Sequence, residues 1–322
     1  MFADYPISGI GYKNWSGLFP KYYGELFNDE NVDVNSSIYA HNDYLEILAE
    51  YGFWGILYSL FICFGILRLW IKTLKDTDIM PYLIVAIGFA ITSFFNFTKE
   101  NLTAMSLFIV TLGIGYSSNY QLSIINYQFF NKNKILLKKL ILVVGVLMLS
   151  MGIWFKVMSY LNERVYLDAM QLKAQGKYSE MLEKLDGVSS FYYPIDMSKM
   201  PVDYYRGVGY FELKQYEKAL EKFKSARVYM QYYPTIMNNE ASALYMTGNF
   251  KEAEERYLEI KKIFPNYIEP QINLLSLYTN QKQNEDAKSN LAELGSKTID
   301  PKYVKNYSVF LKIKDYFIET KH

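Results

Sequence analysis

Histidine, the side chain best suited to move a proton at neutral pH, is scarce in this chain. There are two, His41 and His322. His322 is the last residue, so any imidazole chemistry falls to His41. An imidazole with an ordinary pKa of about 6.5 can take a proton from an acceptor hydroxyl and release it again. His41 stands in Ser36-Ser37-Ile38-Tyr39-Ala40-His41-Asn42-Asp43-Tyr44-Leu45-Glu46 and opens the pattern His-Asn-x9-Gly-x-x-Gly, closed by Gly52 and Gly55. Asp43 with Glu46 three residues on forms a capping box, Asp replacing Ser or Thr, and predicts a helix start. Asn42 either caps that helix or positions a substrate. At helical spacing Ile38, His41, Leu45, Leu48, Gly52 and Gly55 share one face, leaving Asp43, Glu46 and Glu50 on an opposite, solvated one. Gly52 and Gly55 are then a helix-packing motif, a small-residue patch that another membrane helix can approach closely.

Several other chemistries are excluded. The single cysteine, Cys63, lies in an apolar run and is expected to be a small buried hydrophobe. It rules out an intrachain disulfide and a cysteine cluster, and with one internal histidine no metal site is expected. Glu46 and Glu50 suit a solvated face better than a glycosidase carboxylate pair. No phosphate-binding glycine loop or nucleophile elbow is present. Lys and Arg total 34 against 33 Asp and Glu, a net charge of +1, which gives no reason to expect a nucleic-acid partner.

The elements that must hold His41 are apolar helices. Residues 1–50 are expected to be an extracytoplasmic loop region, punctuated by Gly9, Gly11, Gly17, Pro20 and Gly24. Four membrane helices are predicted within 51–160, at about 52–70, 80–97, 101–118 and 137–156. Arg68, Lys72 and Lys75 follow the first, and Lys132, Lys134, Lys138 and Lys139 precede the fourth. Both basic loops belong in the cytoplasm, which puts the His41 loop and everything after residue 156 on the periplasmic, extracytoplasmic side of a multi-pass protein.

The remainder, 161–322, repeats. Ala219, Ala253 and Ala287 are 34 residues apart. Four residues after each comes Phe223, Tyr257 or Leu291, one turn further along the same face. Nine before each comes Tyr210, Leu244 or Tyr278, and Lys214-Gln215-Tyr216 and Gly248-Asn249-Phe250 are the turns between helices. Gln175-Gly176-Lys177-Tyr178 marks a weaker preceding unit. This resembles tetratricopeptide repeats over about residues 202–297. Such arrays bind a protein partner in a concave groove. The expected fold is all-α: about four membrane spans followed by a tetratricopeptide-like α-solenoid.

His41-Asn42-x9-Gly52-x-x-Gly55 also resembles the signature of the O-antigen ligase and O-antigen polymerase family. Its context agrees, with Pro6-Ile7-Ser8-Gly9-Ile10-Gly11-Tyr12-Lys13-Asn14-Trp15 before it and Tyr44-Leu45-Glu46-Ile47-Leu48-Ala49-Glu50-Tyr51 within it. The resemblance covers about residues 4–70 and weakens toward 155. It implies a glycosyltransferase of the bacterial inner membrane, needing no cofactor. Such an enzyme moves a glycan from undecaprenyl-pyrophosphate to an acceptor, which is a lipid core, another glycan or a protein. His41 would be catalytic, and Asn42 and Lys13 would bind substrate. The family's outer-loop arginines are not found before Arg68. The opening Met1-Phe2-Ala3-Asp4-Tyr5-Pro6 is unlike a signal peptide. The missing arginines and the earlier spans are therefore expected upstream of Met1, leaving this polypeptide incomplete alone. The alternative is a non-enzymatic, membrane-anchored scaffold whose repeats recruit envelope proteins.

Overall fold

The computed structural model describes residues 1–11, 14–26, 42–74, 80–95, 131–196, 200–295, 297 and 307–319. Among them every regular element is an α-helix, with one isolated bridge between Ile195 and Pro201. The helices are α1 (Trp15–Leu26), α2 (Asp43–Tyr51), α3 (Phe53–Thr73), α4 (Met80–Phe95), α5 (Asn131–Ala174), α6 (Tyr178–Asp186), α7 (Val202–Glu212), α8 (Tyr216–Tyr229), α9 (Pro234–Met246), α10 (Phe250–Ile263), α11 (Ile268–Asn280), α12 (Asn284–Gly295) and α13 (Tyr307–Glu319). The chain divides into two compact units: Met1–Trp15 with Ser37–Val157, and Ser16–Ser36 with Met158–His322.

In the first unit α2 packs on α3 and α4, and α3 on α4. Leu69 near the end of α3 meets Leu83 and Ala86 near the start of α4, joined by Ile62, Ile66 and Phe89. α3 has 21 residues, about 32 Å at ~1.5 Å per residue, enough for a hydrocarbon core of ~30 Å. Among the described residues it is the one helix long and apolar enough to cross a membrane, and 11% of its most apolar window is buried. Trp54, Phe61, Phe64 and Trp70 are all exposed. So is Cys63, expected to be buried; on a helix whose outer surface is apolar, a small apolar side chain has no need of a protein core. α4 is apolar and has 16 residues, about 24 Å. The stretch 101–118 lies outside the described residues. The stretch 137–156 falls within α5, which continues to Ala174 and so runs through the expected boundary at 160. No proline interrupts α5, so nothing in the backbone requires a break where its composition turns polar at Asn162-Glu163-Arg164.

The second unit is a series of paired helices. The second member of successive pairs opens at Tyr178, Tyr216, Phe250 and Asn284, so the last two steps are 34 residues. From α7 to α12 each helix packs on the next. Ala219, Ala253 and Ala287 are each fully buried, and Phe223 and Tyr257 fill the core one turn further on. The close approach is enforced: a Cβ on Gly207 in α7 would stand 2.6 Å from the Phe223 ring in α8. At the turns Lys214, Gly248 and Lys282 adopt φ of 60°, 81° and 58°. The next residue donates its N–H back to Tyr210, Leu244 or Tyr278, each at 2.9 Å, ending the first helix of the pair. Arg227–Glu259 (3.1 Å) and Lys261–Glu293 (2.5 Å) tie the second helices of neighbouring pairs at the same 34-residue step. Phe310 and Phe317 of α13 close the core beyond α11.

The step from Tyr178 to Tyr216 is longer, 38 residues, because the connection at 187–201 is longer than the other inter-pair links. Two buried polar groups hold that connection. Asp196 accepts from Tyr166 Oη (2.6 Å), Tyr205 Oη (3.0 Å) and the Met200 amide (2.8 Å). Arg206 donates to the Leu185 and Val188 carbonyls, both at 2.7 Å, and to Asp203. These bonds satisfy carbonyls at the end of α6. Residues 15–26, expected to be loop, form α1 despite Pro20. The Tyr232 amide donates to the Gly17 carbonyl (3.1 Å), and Lys21 lies over the Tyr232 ring. Tertiary packing of this kind overrides local propensity.

Candidate functional site

Asn42 is the N-cap of α2: its backbone is extended and its Oδ1 accepts the amides of Tyr44 and Leu45, both at 3.0 Å. Of the two caps the sequence offers, Asn42 and the capping-box Asp43, the helix uses Asn42. Asn and Asp cap equally well, so adjacent candidates could not be separated by residue type. With Oδ1 committed, the Nδ2 amide of Asn42 donates to nothing among the described residues. His41 and Lys13, the expected catalytic and substrate-binding residues, lie outside the described residues.

The far end of α2 is fixed by the N-terminal loop. Ile10 and Gly11 donate their amides to the carbonyls of Ala49 and Glu50, each at 2.9 Å, and Phe53 donates to the Pro6 carbonyl at 2.8 Å. The first two bonds satisfy carbonyls that the end of α2 leaves without intrahelical partners, and the third satisfies the first amide of α3. Gly9 (φ 66°) and Gly52 (φ 57°) make the approach possible. A Cβ on Gly9 would lie 2.2 Å from the Glu50 carbonyl oxygen, and one on Gly52 would lie 2.8 Å from that of Pro6. A Cβ on Gly55 would lie 2.6 Å from the Ile47 carbonyl oxygen. The two glycines of the motif thus meet α2 and the N-terminal loop, where another membrane helix was expected. Spacing marks a close approach without naming the partner, and the corner at Gly52 folds α2 back on the first turn of α3.

The acidic face of α2 also departs from expectation. Asp43 (3% exposed), Glu46 (3%) and Glu50 (1%) turn inward, and Leu45 (56%) turns outward. Periodicity determines which residues share a face but not which face is inside. In a unit whose outer surface is largely apolar, polar-inside is the stable choice. Tyr44 adds a cross-link, its hydroxyl donating to the Ala90 carbonyl of α4 at 3.0 Å.

The second unit carries a cavity of about 780 Å³ along α7, α9 and α11, the first helices of the pairs. Its wall repeats with the helices: Asn239 and Asn273, Ser242 and Ser276, Met246 and Asn280 stand 34 residues apart. Asn273 donates to the Asn238 side chain at 3.0 Å, Asn280 to the Tyr245 hydroxyl, and Ser242 pairs with Tyr257 at 3.0 Å. Burial pushes the Tyr204 phenol up to about 12, with Tyr233 adding to the effect and Asn239 opposing it. Burial also lowers the ammonium of Lys173, which lies over the Tyr205 ring. Burial works against the charge on Asp203, but the Ser225 hydroxyl and the Arg206 guanidinium outweigh it and hold its carboxyl below the usual range. The sequence signal for this groove was the repeated spacing of Asn239 and Asn273, which the alanine register alone does not reveal.

No family model and no curated protein matches this chain.

Proposed function

We propose that this chain is a multi-pass protein of the bacterial inner membrane that takes part in glycan transfer, resembling O-antigen ligases and polymerases. In this reading undecaprenyl-pyrophosphate-linked glycan is the donor. His41 takes the proton from the acceptor hydroxyl as the new glycosidic bond forms and the pyrophosphate leaves. Asn42 holds the acceptor or the sugar through its Nδ2 amide, and Lys13 faces the pyrophosphate. Four spans anchor the site, with the His41 segment and the helical pairs outside the cytoplasm. We read the 34-residue pairs as tetratricopeptide repeats.

The observation that carries the reading is the clasp between Pro6–Gly11 and the end of α2. It joins the two sequence stretches that bear the resemblance, at the mouth of the outward-apolar α3. An imidazole one residue before the N-cap of α2 would then stand at the membrane surface, within reach of a lipid-borne pyrophosphate. The test is His41→Ala in the chromosomal gene, with surface glycan examined by gel and lipid-linked glycan by extraction. Loss of the surface ladder with accumulation of the carrier-linked form is expected; an unchanged ladder removes His41 from the reaction. Sidedness is tested in a Cys63→Ser background by placing a cysteine at Ser36 and labelling intact spheroplasts with an impermeant maleimide. Protection of that cysteine until lysis overturns the topology.

A scaffold reading is favoured by one observation, the groove along α7, α9 and α11. It predicts that His41→Ala leaves surface glycan intact while deletion of the helical pairs disturbs the envelope.

A further inference from the structure

We infer that the groove along α7, α9 and α11 is a binding site for a neutral, hydroxyl-rich oligosaccharide. Its size, about 780 Å³, lies within the ~300–1,000 Å³ of ordinary ligand sites. Its chemistry is carried by carboxamides, hydroxyls and half-buried aromatic rings: Asn239, Asn273 and Ser276 beside Tyr204, Tyr245 and Phe211. A carboxamide both donates and accepts, as each sugar hydroxyl does. An aromatic face offers an apolar platform to the C–H side of a pyranose ring.

The charged lining is sparse, Lys173, Glu212 and Glu269, and Lys173 is lodged over the Tyr205 ring. No arginine lines the groove. Arg227 and Arg256 are spent instead on Glu240 and Glu259. Capture of a peptide's terminal carboxylate, or of a phosphate, relies on such a cationic fork, and the groove does not offer one. Its polar groups also recur at the repeat step, so successive sugar units of a polymer would meet similar partners as they lie along it.

The inference takes from the glycan-transfer reading only the expectation that such a ligand reaches this domain. The test uses the full chain in an amine-oxide detergent, because sugar-headed detergents would compete. The probe is the neutral oligosaccharide fraction released by mild acid from the envelope of the source cells, titrated calorimetrically beside the acidic fraction and a tryptic peptide pool. Selective binding of the neutral fraction is expected. Tyr245→Ala and Asn239→Ala should each weaken it about tenfold, the loss of one stacking or hydrogen-bonding contact. Tyr245→Phe should retain most of the affinity, and far-UV circular dichroism confirms that each variant is folded. Absence of binding by the folded parent, preference for peptides, or variants that bind like the parent would each overturn the inference. Binding that survives while His41→Ala leaves surface glycan unchanged would sink the transfer reading alone. The reverse pattern would sink the groove alone.

Discussion

Gly9 and Gly52 meet backbone to backbone, so closely that a Cβ on Gly52 would stand 2.6 Å from the Gly9 nitrogen. Both also carry positive φ, 66° and 57°. Two separate stretches of chain, the N-terminal loop and the corner between α2 and α3, thus depend on the same missing side chains.

Gly52→Ala should destabilise the first unit on both counts: φ of 57° with ψ of −134° is a backbone region that glycine alone tolerates readily, costing an L-residue about 1–3 kcal/mol, and overpacking adds roughly 1–3 kcal/mol. Gly9→Ala should do the same. Thermal unfolding in detergent measures it, and a Gly52→Ala melt superimposable on the parent would refute the clasp.

Asn42 allows stability and chemistry to be separated. Asn42→Ala loses the cap and should cost about 1 kcal/mol, whereas Asn42→Asp keeps an accepting oxygen and should melt like the parent. If Nδ2 serves a substrate, Asn42→Asp will nevertheless lose glycan transfer in cells. A fully active Asn42→Asp strain would assign Asn42 to capping only.

The left-handed turns differ in their occupants. Lys214 and Lys282 hold the position that Gly248 holds in the pair between them. Lys214→Gly and Lys282→Gly should therefore each stabilise the second unit by about 0.5–1 kcal/mol, the relief of a left-handed Cβ less the entropy that glycine loses. Gly248→Ala should cost a similar amount. Chemical denaturation gives the sign directly.

Tyrosines make the second unit sensitive to alkali. Burial raises Tyr204 from its ordinary value to about 12, and raises Tyr166, Tyr205, Tyr257 and Tyr278 further. An unfolded chain deprotonates near pH 10 while the folded one still holds its protons. The stabilisation is thus complete below about pH 10 and is lost as pH rises through the folded values, beginning with Tyr204 near 12. Tyrosinate absorbance followed with circular dichroism should show a fraction of the phenols ionising only as the helices melt; complete ionisation near pH 10 in a still-folded chain would contradict the burial.

The helical pairs were legible in the sequence because Ala219, Ala253 and Ala287 each occupy a point where one helix touches another, and contact geometry of that kind demands a small residue at a fixed step. The all-helical class followed from the same periodicity. The orientation of α2 was not legible, since the inside-polar arrangement of Asp43, Glu46 and Glu50 depends on what surrounds the unit rather than on spacing. α1 is not legible because Gly17 and Pro20 signal a loop locally, while its order comes from distant Tyr232. The exposure of Cys63 is not legible for a related reason: apolar character tells where a side chain avoids water, and an apolar exterior satisfies that as well as a core does.

The joint made by Arg227–Glu259 and again by Lys261–Glu293 has a consequence for the growth of such a domain. The α9–α10 pair presents an anion, Glu259, to the pair before it and a cation, Lys261, to the pair after it. A duplicated 34-residue block inserted by recombination would bring a ready-made seam with it. The domain could therefore change length in single steps while its end pieces stayed as they are.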